Sequence, residues 1–167
     1  MKHSLAESSR SNGCYFERTP EMLVLEGYRH WSCGFQTGSI TPWEMAWSLY
    51  TKELGAVGGR KALGDLSSHI RTLRKCATCP LRPFPYRSQH LNTQEALNMG
   101  LIAGLQHDDA AADLCLDNLT CKGLCDEVAD AARAFAQTLL DLDQVMLPIP
   151  KPVIQDILQR SNPGTLH

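Results

Sequence analysis

Apolar positions recur at helical spacing along most of the chain. Val24, Tyr28, Trp31 and Phe35 fall at i, i+4, i+7 and i+11, which is one helical face. Thr19-Pro20-Glu21 ahead of them supplies a cap, a first-turn proline and a first-turn acid, and Gly38 is a natural stop. Thr41-Pro42-Trp43-Glu44 then reads as a capping box with proline at the first helical position. Trp43, Ala46, Trp47, Tyr50 and Leu54 lie on one stripe that Gly55 ends. The two segments predict an antiparallel helical hairpin.

A third helix is predicted from about Arg60 to Lys75, with Leu63, Leu66, Ile70 and Leu73 inward and Gly55, Gly58 and Gly59 as a flexible joint before it. Pro80, Pro83 and Pro85 exclude a continuous helix over 76–91. Asn92 and Glu95 form a capping-box-like start for a helix lined by Leu97, Leu101 and Leu105. Gly100 and Gly104 share a side there, where a neighbouring helix can come close. Further helices are predicted over about Asp109–Leu119 and Leu124–Leu142, the latter turning Val128, Ala132, Phe135 and Leu139 inward. Pro148, Pro150 and Pro152 interrupt the chain before a short helix with Val153, Ile154, Ile157 and Leu158. No alternating strand pattern stands out. The expected fold is all-α, an irregular bundle of about five to seven helices that begins with the hairpin. The expected organisation is a flexible polar N-terminal segment (1–18), a single helical domain (19–147) and a Pro-containing C-terminal segment with a short helix (148–167).

Composition narrows the setting. The chain has 167 residues, 43% hydrophobic and 20% charged, enough to bury a core of its own. Its first residues lack an apolar signal core, and nothing approaches the roughly 18 apolar residues of a membrane span. The expected location is cytoplasmic, with no membrane partner. Seven cysteines, an odd number without a secretory signal, argue for reduced thiols rather than a disulfide framework.

Net charge is −2, but the charges are segregated. Residues 60–87 carry seven bases against Asp65, and residues 108–143 carry nine acids against Lys122 and Arg133. Such asymmetry can attract a charged partner, and the favoured expectation is that the two stretches face each other, within one molecule or across a dimer.

Three groups of residues bear on chemistry. Cys76-x-x-Cys79 has the spacing of a thiolate pair that grips zinc or iron, or cycles between dithiol and disulfide. Cys115, Cys121 and Cys125 are the cysteines that can complete such a site, with His90 and His107 as further donors. The second group is basic and aromatic: Arg71, Arg74 and Lys75 on one helix side, then Arg82, Phe84, Tyr86 and Arg87 in the following loop. Cations interleaved with aromatics suit phosphates and stacked bases, but the slightly acidic chain makes nucleic acid a lesser reading. The third group is the aromatic hairpin, where Trp43 and Trp47 are candidate anchors beside a set of core rings.

Gly38-Ser39-Ile40-Thr41-Pro42-Trp43-Glu44-Met45-Ala46 resembles the segment that opens a helix in the helical accessory domain associated with nitrile hydratases. The resemblance covers this stretch alone, departs from the family at Pro42, lacks the downstream Tyr-Tyr-Trp region, and implies an accessory protein. A phosphate-binding loop ending in Gly-Lys-Ser/Thr, His-Glu-x-x-His and Gly-x-Ser-x-Gly are all missing, so no catalytic residue is assigned. The leading expectation is a protein-interaction factor, an accessory, assembly or regulatory protein that binds another protein or itself. The alternative is a metal-binding or redox-responsive cysteine protein.

Overall fold

The computed structural model describes residues 17–76, 81–121 and 123–161, with the side chain of Cys76 outside that set. The N-terminal segment expected to be flexible lies outside the described residues except at its end. Six helices are described and no strand: α1 (Thr19–Thr37), α2 (Thr41–Cys76), α3 (Thr93–Gln106), α4 (Ala111–Leu119), α5 (Cys125–Asp141) and α6 (Lys151–Ser161). The fold is an all-α bundle, as the apolar periodicity requires.

Helices α1 and α2 form the hairpin. Gly38 closes α1 in the left-handed region at φ 69°, its amide bonded to the Gly34 carbonyl. Tyr50 crosses from α2 to donate to the Leu23 carbonyl at 2.7 Å, and Gly27 is bare because a Cβ there would meet the Tyr50 hydroxyl. The start of α2 differs from the expected capping box. The Glu44 amide bonds the Ile40 carbonyl, so Thr41 is the first helical residue and Ser39 receives its amide. The start of α1 shifts in the same way, with Arg18 at the cap position and Thr19 inside.

The flexible glycine joint is also corrected. Only Gly55 leaves helical geometry, at φ 79° and ψ 171°, and helix resumes at once. Gly59 is helical and bare for a packing reason. A Cβ there would stand 2.9 Å from the Tyr50 backbone, so the two halves of α2 meet at a sharp kink.

Helix α5 packs along the second half of α2 and against α3, burying Val128, Ala132, Phe135 and Leu139 completely. Gly100 and Gly104 do what their spacing suggests. A Cβ on Gly100 would meet the Cys115 sulfur, and one on Gly104 would meet the Ala112 backbone, so α3 and α4 touch closely. Helix α6 drives Ile154 fully into the core beside Gly100. No helix of the described residues is long and apolar enough to cross a membrane.

Candidate functional site: a surface loop held by buried charge

Between α2 and α3 the chain from Leu81 to Asn92 has no regular structure, as its prolines dictate. Its backbone polar groups therefore need partners from elsewhere. Three charged residues and three side-chain amides supply partners. Arg29 of α1 is 1% exposed and Glu95 of α3 is fully buried. The guanidinium uses its whole donor fork: Nε and Nη2 reach the Glu95 carboxylate at 3.3 and 2.8 Å, and Nη1 reaches Glu26 at 3.1 Å. The remaining two bonds go to loop carbonyls, Ser88 at 2.9 Å and His90 at 2.7 Å.

The carboxylates complete the hold. Glu95 Oε1 accepts the Phe84 amide at 2.5 Å, and Glu26 accepts the Arg87 amide through both oxygens at 3.1 and 3.2 Å. Arg87 sits at φ 63°, a left-handed turn that this carboxylate stabilises. Asn92 caps α3 by accepting the Glu95 amide at 2.8 Å and donates to the Arg82 carbonyl at 2.7 Å. Gln36 donates to the Leu81 carbonyl, and Gln94 accepts the Arg82 amide. Taking an ion pair out of water is costly unless its remaining donors and acceptors are met, and here they are. Tyr28 is buried beside the network, and burial first, then the charge of Glu95, holds its hydroxyl far above the ordinary range.

The loop presents a basic and aromatic face. Phe84 and Tyr86 are exposed at 38% and 48%, and Arg82 and Arg87 are exposed beside them. Tyr86 leans on His30 with ring centroids 5.1 Å apart, and the Arg87 guanidinium lies 5.8 Å from the Tyr86 ring. Burial lowers the His30 pKa, which favours the neutral ring. At the far end of α1, Arg74 covers Phe35 at 4.3 Å, next to the residue that holds Leu81. Arg71 and Lys75 are exposed on the same helix.

The other candidates have different settings. Trp43 is half-buried, stacked on Trp31 and edge-on to Phe35. It donates its indole N–H to the Trp31 carbonyl at 3.1 Å and fills the notch left by Gly34. Trp47 is 43% exposed and lines a surface groove with Ala56 and Val57, beside the kink of α2. Cys115 is fully buried, and burial pushes its thiol up to about 12. Cys125 is half-buried with its sulfur 2.7 Å from the Thr120 hydroxyl, and Cys121 is exposed. The Cys76 thiol and Cys79 lie outside the described residues. Among the described residues no three Cys, His, Asp or Glu side chains group as a metal ion requires. His90 lends only backbone groups to the described hydrogen bonds, and His107 Nε2 pairs with the Met146 carbonyl at 2.7 Å.

The network itself was not among the sequence candidates. A signal for it exists: Arg29 lies at the helical spacing of Leu25 and Ser32, both buried, so a cation stands on a core face. Comparison with protein-family models, curated proteins and solved structures found no match to this chain.

Proposed function

We propose that this protein is an interaction factor that binds another protein through the face formed by Arg82, Phe84, Tyr86 and Arg87. The observation that supports this is the cost of the hold. Arg29 and Glu95 are buried and paired, and Glu26 is engaged, to fix an irregular surface loop that presents Arg82, Phe84, Tyr86 and Arg87 to solvent. A loop ordered before binding loses little conformational entropy when it meets a partner. Exposed tyrosine, phenylalanine and arginine are the side chains that anchor protein interfaces. The cations select a partner surface that carries carboxylates.

The test compares capture by the full chain and by Tyr86→Ala/Arg87→Glu, whose side chains are exposed, after circular dichroism shows equal helix content. A partner retained by the parent and lost from the variant is the expected result. An identical captured set overturns the assignment. Capture of nucleic acid in place of protein, with affinity falling steeply in salt, would replace it with the nucleic-acid reading.

A further inference from the structure

The kink in α2 opens a surface groove of about 650 Å³, within the roughly 300–1,000 Å³ of small-molecule sites. The first half of the helix supplies Trp47, and the second half supplies the rest of the lining, from Ala56 to Asp65. Trp47, Ala56 and Val57 make the groove apolar, and Val57 is 86% exposed. An exposed indole also offers a face on which a flat ring can stack.

The charges of the groove leave one cation over. Asp65 is satisfied within the molecule, since Lys61 pairs with it at 3.2 Å and Thr138 of α5 donates to it. Among the described residues Arg60 makes no ion pair or hydrogen bond, with the acids of 108–143 or with any other group. The Trp47 indole N–H has no partner among them either. Two unengaged donors beside exposed apolar surface are complementary to an anion with an apolar body.

Gly64 is an independent observation. Glycine inside a helix weakens it relative to alanine, and elsewhere in this chain packing accounts for it. A Cβ on Gly27, Gly34, Gly58, Gly59, Gly100 or Gly104 would stand 3.0 Å or less from a neighbour. Nothing lies within 4 Å of the Cβ position of Gly64, and Gly64 lines the groove. Its bare backbone widens the groove and serves no contact of the fold itself.

We infer that the groove binds a small organic acid, a flat apolar ring against Trp47 and Val57 with its carboxylate on the Arg60 guanidinium. None of the lining belongs to the 81–92 loop or to the network that holds it, so either assignment can fail without the other.

2-Naphthoate, titrated into the full chain, is the probe, followed by calorimetry and by the amide signals of Val57, Arg60 and Gly64. A Kd of about 1 mM or tighter is expected. The neutral 2-naphthamide and the ringless acetate should each bind at least about tenfold more weakly. Arg60→Gln should weaken naphthoate by about tenfold or more with thermal melting unchanged, since Arg60 is exposed and unpaired. Gly64→Leu should melt higher, because leucine favours helix and meets nothing, and should no longer bind naphthoate. Amide signals unmoved at about 10 mM naphthoate, naphthamide bound as tightly as naphthoate, or unchanged affinity in Arg60→Gln would each overturn the inference. Shifts at Gly64 caused by an acidic, leucine-rich peptide but not by naphthoate, or by protein concentration alone, would also overturn it and give the groove to a macromolecule.

Discussion

The molecule buries polar groups in two contrasting ways. On one side Arg29, Glu26 and Glu95 form a charged network in which every guanidinium donor is used and each carboxylate also holds a loop amide. On the other, His69 is fully buried against Phe135 with one bond, its Nε2 to Asn98 Oδ1 at 2.7 Å. With that oxygen facing it, Nε2 carries the proton and Nδ1 is an acceptor without a partner. The first arrangement meets every donor of its buried guanidinium with a carboxylate or a carbonyl. The second persists only while neutral, and burial lowers the His69 pKa to about 4 despite the opposing bond from Asn98. Two equally deep sites thus differ in how fully their polar atoms are partnered.

The sharpest way to break this contrast is Glu95→Ala. It leaves Arg29 buried without its main partner, and a loss of about 3–5 kcal/mol is expected in urea unfolding. The double change Arg29→Met/Glu95→Leu is expected to recover most of that stability. Its loop, with the Phe84 amide and the Ser88 and His90 carbonyls released, should lose amide-exchange protection. Recovery of both stability and protection would show that the network does not hold the loop.

His69 supplies the next largest effect. Its proton is bound in the unfolded chain below pH 6.5 but in the folded chain only below about 4. Stability is therefore full above pH 6.5 and falls as pH drops toward 4, by up to roughly 3 kcal/mol. Denaturant midpoints across that window check the slope, and His69→Leu is expected to flatten it. An unchanged slope would move the titration to another group.

Two smaller changes test the surroundings. Gly104→Ala sets a methyl against the Ala112 backbone, where a close helix crossing cannot yield, and about 1–3 kcal/mol of thermal stability should be lost. Asn92→Ala removes the cap of α3 and a bond to the Arg82 carbonyl, with an expected cost of about 1 kcal/mol. Its loss should also loosen the loop more than the core, which hydrogen exchange at Arg82–Arg87 would report.

Local chemistry reads well from this sequence where one residue decides the outcome. Gly38 ends α1, Asn92 caps α3, and Phe135 and Leu139 face inward, each by a rule that spans a single turn of helix. It reads less well where neighbours compete. Gly58 and Gly59 look like a joint, yet both are helical, and Gly59 is bare because the Tyr50 backbone needs its space. Trp43 is a candidate anchor from the sequence, and only the fold shows that its half-buried indole fills the notch over Gly34. Glu95 reads as a capping-box acid, and its larger duty, to Arg29, lies 66 positions away in the chain.

The sequence by itself determined that the chain is helical, where most helices begin and end, and which stripe of each is apolar. Those properties follow from backbone sterics, capping and the 3.6-residue period, all of which act within a few residues. Tertiary structure alone decided that Arg29 meets Glu95 beneath a loop, that helix continues across the kink at Gly55, and that Gly59 must be bare to admit the Tyr50 backbone. Such outcomes depend on which distant groups share one desolvated space, and the energy of a charge or a missing Cβ is set by that space.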